Sequence, residues 1–381
     1  MKHVLSGLIS PNQSAFISGR SIQDNIMVAH EIVRNYHRTK GTPRCTLKVD
    51  LKKAYDTVSW EAIVWVLQRV GFPSKFIDWI SLYFSTSRFS VMVNGSPYGF
   101  SGAKRGLRQG RPLSPYLFVL VMEIFSASLL HQSLNCALEQ FSNCSGLVMN
   151  KLKTPLYSSA VDEEVLDQIV LCLGCTKGEL PVRYLGVPLL STRLSYKDCI
   201  PLLNKFDIRI KSWKTIFLAY PGRALLIKAV LAGMINFWCS CFVLPERVIK
   251  ELNTKFNRFF WDGPDMGKKH SPISWVNVCH PYEEGGLGVK DLEFTNVAAN
   301  FRHIWELISG KTTIWTECVK YNLIKDKDFW SLNVPQEASW CWRRILDHRD
   351  LARKFIGVTI DDGTSLNFMK DNWHPKGRIE D

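Results

Sequence analysis

Negative charge is in short supply in this chain. Its 35 Asp and Glu residues face 48 Lys and Arg, leaving a formal charge of +13. A balance of that sign speaks to partners, and a polyanion such as RNA or DNA is the natural one. No apolar run is long enough to span a bilayer: the longest, around Tyr116 to Ile124 and Leu225 to Phe237, are short or interrupted by charge. No charged segment followed by an apolar one opens the chain, and the 11 cysteines are scattered and odd in number, which argues against a secreted disulfide framework. Cys172 and Cys175 form a single CxxC without a second pair at zinc-finger spacing, while Cys239 and Cys241 stand too close together to help. They read as ordinary buried thiols. Internal repeats and low-complexity tracts are missing as well. What remains is an intracellular protein with no membrane association, whose 46% hydrophobic content over 381 residues supplies packed cores for two or three domains.

What is present centres on residues 46–60, TLKVDLKKAYDTVSW. A short apolar-alternating run gives way to a helix start, and Asp50 falls where the strand ends. A carboxylate there either terminates the strand or points off the sheet edge to hold a divalent metal. Four residues separate Asp50 from the pair Tyr55-Asp56. Downstream, Ser59 is a fitting N-cap, Glu61 suits the positive end of the helix dipole, and Gly71 with Pro73 stops the helix. Ser74 caps the next helix, and Asn94-Gly95 between two short β-prone runs predicts a hairpin. The block RGLRQGRPLSP, residues 105–115, then delivers a basic, glycine-containing loop into an apolar helix, with Ser114 as cap and Pro115 in the first turn. Basic side chains at such an entrance suit a phosphate or a template backbone.

Taken together, the Asp50 and Tyr55-Asp56 motif and the QGRPLSP motif resemble the reverse transcriptases of non-LTR, LINE-type retrotransposons, with the wording KKAYDTVSW closest to the plant lineage. The resemblance implies RNA-templated DNA synthesis with two Mg²⁺ ions, an RNA template and a DNA primer as partners. It places a metal ligand on Asp50, a gate against the 2′-hydroxyl on Tyr55, and nucleotide and template positioning on Arg108, Gln109 and Gly110. Arg20, after Gly19 at the entrance of a helix running from Ile22 through Ile26, Ala29, Ile32, Val33 and Tyr36, becomes a template or nucleotide contact. Arg111 departs from the acidic residue that plant relatives often carry.

The resemblance also exposes a gap. A β-hairpin bearing a paired Asp, which supplies the remaining metal ligands in that family, is expected after the helix that follows QGRPLSP. Here Leu130 runs straight into His131 and a passage that lies beyond the hairpin in relatives, so a deletion is expected between those residues. The adjacent pair Asp361-Asp362 reads as a turn before Gly363, the acidic pair Glu163-Glu164 as a helix start, and Glu283-Glu284 as a loop. The fold expected is α+β: an incomplete right-hand fingers and palm over residues 1–190, a helical thumb-like region over 191–310, and a connector over 311–381 that stops before the Cys- and His-rich region of relatives. Lys211, Lys214, Arg223 and Lys228 lie on amphipathic helices that either track a backbone or form a solvated face. His270, Cys279 and His280 fit no standard metal spacing. Trp340 and Trp342 beside Arg343 and Arg344 read as core tryptophans or as stacking platforms.

Overall fold

The computed structural model describes residues 1–213, 218–264, 271–335, 337–357 and 359. Lys214, His270 and the Asp361-Asp362 turn lie outside the described residues. The chain divides into two compact units, Met1–Ile22 with Arg38–Glu179, and Gln23–His37 with Leu180–Asp381.

The first unit opens with a short helix, α1 (Leu5–Leu8), and a loop; the next helix, α2 (Ile22–Ile32), falls almost wholly to the second unit. Strand β1 (Arg44–Leu47) is followed by a one-turn helix, α3 (Ala54–Thr57), and by α4 (Trp60–Arg69). Ser59 caps α4 as its sequence position demands, accepting from the Ala62 N–H at 3.4 Å. Helix α5 (Ser74–Ser85) starts behind Pro73, which takes the cap position expected for Ser74. The hairpin β2 (Arg88–Val93) and β3 (Ser96–Gly102) turns at Asn94 and Gly95, whose φ angles of 49° and 83° explain the residue choice.

Helix α6 (Ser114–His131) and helix α7 (Leu134–Ser145) form an αα-hairpin linked by only Gln132 and Ser133, both extended. The sequence reading has Ser114 capping α6. Instead Ser114 is already helical and its hydroxyl donates back to the Arg108 carbonyl at 2.7 Å, so it closes the preceding loop. Next come β4 (Pro155–Ser159), α8 (Glu163–Leu173) and β5 (Thr176–Lys177). The sheet has the order β1-β4-β5, with β1 antiparallel to β4 (Leu47 opposite Leu156) and β5 parallel to β4. Glu163 at the start of α8 pairs with Lys177, as does Asp167 at 2.7 Å. The core of α4 to α7 is built on Ile63, Leu67, Leu117, Val121 and Phe141.

The second unit begins with α2, whose buried residues are Asp24, Ile26, Met27, His30 and Glu31, while Ile32 is exposed and the buried Val33 lies one residue past its end. The apolar period identified the helix but carried it on to Tyr36, past its end at Ile32, and three buried polar residues, Asp24, His30 and Glu31, widen its inner face. Glu31 accepts from the Ser339 hydroxyl, and His30 Nδ1 donates to the Ile26 carbonyl at 2.9 Å. After a short hairpin, β6 (Val182–Tyr184) and β7 (Val187–Leu189), every described element is helical. These are α9 (Tyr196–Lys211), α10 (Tyr220–Leu226), α11 (Ala232–Cys239), α12 (Glu246–Asp262), α13 (Trp275–Cys279), α14 (Leu292–Ile308), α15 (Ile314–Val319) and α16 (Trp340–Arg353), with a π turn at Ile227–Leu231 joining α10 to α11. Phe206, Phe256, Phe259, Trp315 and Trp342 are fully buried in its core, each contributing about 1.5–3 kcal/mol by leaving water. Trp342 is thus a core residue, whereas Trp340 lies under the Arg344 guanidinium, 4.1 Å from its ring centroid.

Two stretches taken as too short to span a bilayer form longer helices than the sequence suggests. Ser114–His131 has 18 residues and Tyr220–Cys239 has 20, both apolar and long enough to cross a membrane. In the first, Leu117, Leu120 and Val121 are buried in the core of α4 to α7.

Two expectations for stability follow. Gly146, the left-handed C-cap of α7, has φ +74°, and a Cβ there would sit 2.7 Å from the Thr57 carbonyl oxygen. Gly146→Ala is expected to lower stability by about 2–4 kcal/mol, measured by urea denaturation. In the second unit, His303 Nε2 donates to the Ser240 carbonyl at 2.8 Å, and burial lowers its pKa below the ordinary 6.5. As pH falls past about 6.5 the unfolded chain takes up this proton first, so the stability His303 supports at neutral pH is lost below it. His303→Gln should flatten the loss of stability between about pH 7 and pH 5.5 in urea titrations, and unchanged slopes would refute the assignment.

Candidate functional site

Beyond β1 the strand continues as an irregular ladder. Lys48 N–H donates to the Pro155 carbonyl (3.1 Å), Asp50 N–H to Thr154 Oγ1 (3.0 Å) and Lys52 N–H to the Val148 carbonyl (2.9 Å), while Asn150 N–H donates to the Asp50 carbonyl (2.7 Å). Thr154 is fully buried, so the backbone of Asp50 is fixed from both of its polar groups. Lys53 then adopts a left-handed conformation, φ 42°, and turns the chain sharply into α3.

The turn that follows is clamped to the loop of the second motif. Leu107 N–H donates to the Tyr55 carbonyl at 2.5 Å and Gly106 N–H to the Val58 carbonyl at 2.8 Å. Trp60 Nε1 donates to the Gly106 carbonyl at 2.7 Å. Gly106 is required here twice over: its φ is +92°, and a Cβ would lie 2.7 Å from the Asp56 carbonyl oxygen. This clamp encloses a cavity of about 470 Å³, within the range of small-ligand pockets.

Tyr55, Asp56, Arg108 and Gln109 line it, together with Trp60, Tyr83, Phe84 and Phe89. The structure therefore brings three of the singled-out residues to one place. Tyr55 stacks on Phe118 of α6 with ring centroids 5.0 Å apart, and burial raises its phenol pKa. Trp60 stacks on Phe84 at 4.9 Å. The Tyr83 hydroxyl is buried without a hydrogen-bond partner among the described residues, a donor and acceptor that a polar ligand group would satisfy. Gly110, next to Gln109, has φ +83° with nothing near its would-be Cβ, so backbone conformation alone asks for glycine.

Besides Gly110, two singled-out residues are not among the cavity's lining. Asp50 lies five residues before Tyr55, half-buried at the end of the irregular ladder. Arg20 is engaged elsewhere in the first unit. Its guanidinium donates to four carbonyls, those of Ser10 (2.6 Å), Gln13 (2.7 Å), Ile9 (2.8 Å) and Ser6 (3.1 Å). It thereby satisfies the C-terminal end of α1 and gathers the loop behind it. That loop is tied onward to α6, because Ser10 N–H donates to Glu123 at 3.1 Å. Trp60, Tyr83, Phe84 and Phe89 are the lining residues that spacing did not reveal. All four are aromatics of the kind a core also uses, and only the Trp60 position beside a capped helix start hinted at its place.

Among the described residues, no group of three or more His, Cys, Asp or Glu is gathered as a metal would require. Cys175, Cys239 and Cys241 are buried, the last two with thiols pushed up to about 12, so they stay protonated, whereas Cys172, expected to be buried, is exposed. His280 stands 3.7 Å from Glu284 in the turn after α13.

Comparison with known proteins places residues 1–189 in a match to the family described as reverse transcriptase (RNA-dependent DNA polymerase). The chain is 30% identical over 192 residues to an Arabidopsis thaliana protein that carries a ribonuclease H name, covering 49% of this chain and 31% of that protein. It is 26% identical over 335 residues to the 149 kDa protein of transposon TX1 of Xenopus laevis, covering 76% of this chain and 24% of the relative. It is also 31% identical over 114 residues to the Pol polyprotein of the Drosophila melanogaster retrotransposable element R2DM, 30% of this chain and 11% of the relative. The chain thus spans less than a third of the length of each of these relatives.

Replacing the Arg20 guanidinium while keeping an aliphatic stem isolates its bonds to the loop. Arg20→Met is expected to destabilise the protein by about 2–4 kcal/mol in urea denaturation, from loss of charged hydrogen bonds. A change under about 0.5 kcal/mol would show that water replaces them freely.

Proposed function

We propose, for a chain whose residues 1–189 are a reverse transcriptase domain related to those of non-LTR retrotransposons, that the nucleotide cradle persists while the polymerase chemistry does not. In this reading the lineage is that of the plant LINE-type elements, and the ancestral reaction is DNA synthesis on an RNA template from a DNA primer. Tyr55 is the gate against the ribose 2′-hydroxyl, Arg108, Gln109 and Gly110 position nucleotide and template, and Asp50 is the surviving metal-ligand carboxylate. Arg20 serves the same site at one remove, by holding the N-terminal loop. The observation that carries the reading is the cavity where Tyr55, Arg108 and Gln109 converge across the Leu107–Tyr55 clamp.

Mg²⁺ fits poorly with the residues present. Two ions need near-octahedral oxygen shells drawn from carboxylates on more than one strand. Around Asp50 the neighbouring ladder offers Thr154, Asn150, Met149 and Val148, none of them acidic. The strand pair bearing the other ligands is proposed to have been lost between Leu130 and His131, the last two residues of α6, just ahead of the Gln132-Ser133 link to α7. Without that electrostatic stabilisation the phosphoryl-transfer rate falls by on the order of 10³-fold or more.

The test is primer extension on an RNA template with Mg²⁺ and then Mn²⁺, using the unaltered chain beside Asp50→Ala. No extension above the Asp50→Ala background is expected from a folded protein. Extension that Asp50→Ala abolishes would mean that another carboxylate completes the site, and the proposed inactivity would be wrong.

A second reading, a nucleic-acid-binding protein without catalysis, is favoured by the +13 charge. It requires RNA affinity that drops steeply as salt rises, with log affinity linear in log salt concentration, and that Asp50→Ala leaves unchanged. Salt-independent or absent binding in filter or anisotropy assays would remove it.

A further inference from the structure

The second unit holds a cavity of about 970 Å³, larger than the one in the first unit. It is made by the segments 259–263 and 276–288, with the start of α10. Tyr220 at the start of α10, Phe260 and Trp261 near the end of α12, and Tyr282 in the turn after α13 line it. Tyr220 packs against Phe260 and Trp261 at 5.7 and 5.5 Å between centroids, yet is 51% exposed, and Tyr282 is 68% exposed. Aromatics recruited only for core packing would be covered. Each carries a cation over its ring, Arg223 at 5.4 Å from the Tyr220 centroid and Lys228 on Tyr282, which leaves one face of each ring for a ligand on the cavity wall.

The polar groups are arranged to match. Lys228, on the π turn between α10 and α11, places Nζ 4.6 Å from the Tyr282 ring centroid and donates to its hydroxyl at 2.8 Å. Trp261 Nε1 is buried with no acceptor among the described residues, so the cavity wall carries a donor in want of a partner. Arg223 is already committed, donating to the carbonyls of Leu218 (3.0 Å), Phe260 (3.0 Å) and Trp261 (2.9 Å), and its role is to hold the Tyr220 end together.

The turn behind Tyr282 is shaped for rigidity. Gly286 admits no side chain, since a Cβ would fall 2.0 Å from the His280 carbonyl oxygen. The N–H groups of Gly286, Leu287 and Gly288 donate to the carbonyls of Pro281 (3.0 Å), Val278 (2.9 Å) and His280 (2.8 Å). With its amides spent internally, the turn is no phosphate nest, and Glu284 on the same wall would repel one. Recognition therefore comes from ring faces, one buried donor, one ammonium and the Asn277 and His280 side chains that line the same cavity. An aliphatic chain would leave the indole N–H unpaired. A nucleobase offers two π faces and edge acceptors, with its phosphate outside the cavity.

We propose that this cavity captures an unpaired nucleobase of a single nucleic-acid strand, stacked on Tyr220 and Tyr282, with its edge accepting from Trp261 and its backbone near Lys228. The inference rests on the reverse transcriptase reading only in taking nucleic acid as the molecule at hand. It concerns a site in the other unit, and its test uses no polymerisation.

The experiment measures anisotropy of fluorescein-labelled oligothymidylate, oligouridylate and an abasic oligomer of equal length and charge, binding to the full chain without divalent metal. The unaltered chain is expected to prefer the base-bearing strands. Tyr282→Ala, at an exposed position, is expected to weaken them about tenfold or more while leaving abasic affinity unchanged. Leu171→Ala, at an exposed position of α8 in the first unit, is expected to retain the preference. Equal binding of base-bearing and abasic strands, equal weakening of both by Tyr282→Ala, or loss of the preference in Leu171→Ala would each overturn the proposal. Competition by thymidine monophosphate at the strand's own effective concentration would also overturn it, by assigning the cavity to free nucleotides. Failure of primer extension has no bearing on any of these outcomes.

Discussion

The hydrogen bond from Leu107 N–H to the Tyr55 carbonyl, with its neighbour from Gly106 to Val58, is the constraint on which the first unit's site depends. Two segments about fifty residues apart in sequence meet backbone to backbone, so no side-chain choice can separate them without leaving buried polar groups unpaired. The cavity exists because this clamp holds α3 and the 103–110 loop as facing walls. Trp60 adds a side-chain bond to the same loop and stacks on Phe84, joining α4 and α5 to the arrangement. Gly106 is the residue that lets the two backbones approach. Specificity of position thus resides in main chain and one glycine, and the chemistry-bearing side chains are carried by that frame.

Much of this was legible before the fold was known. Asn94-Gly95 announced a hairpin because positive φ at both turn positions narrows the residue choice, and the strands formed around it. Ser59 announced the start of α4 for an equally local reason. The convergence of Tyr55, Arg108 and Gln109 was legible only through the resemblance of two motifs, since no periodicity links residues so far apart. Arg20 was not legible at all. Its partners are four backbone carbonyls, which every sequence supplies, so nothing distinguishes such an arginine from one that faces a phosphate. Ser114 misled for a similar reason: a hydroxyl at a helix start can serve the helix or the loop before it, and here a carbonyl six residues back was the better acceptor.

The second unit follows a different logic. Its sequence is dense in aromatic residues, and periodicity alone cannot sort those that fill a core from those that face a cavity. Trp342 and Phe259 are sealed inside, while Tyr220 and Tyr282 stand partly in solvent. The deciding features are a crowded glycine turn and an arginine spent on carbonyls, and neither leaves a mark in hydrophobic pattern. Polar residues on the inner face of α2 show the same limit, because Glu31 is buried through a bond to Ser339, more than three hundred residues away.

The link between α6 and α7 has a bearing on how such a molecule is rebuilt. Gln132 and Ser133 form a two-residue turn, and Leu129, Leu130 and His131 before it are exposed. Chain entropy charges little for lengthening a connection at a surface position, roughly 0.6 kcal/mol for each doubling of the loop. The helices on either side owe their places to Leu117, Leu120 and Phe141, none of which touches the link itself in sequence. A strand pair grafted between Gln132 and Ser133 therefore enters a scaffold that already stands without it, and evolution or a protein engineer meets an open socket at that point in the chain.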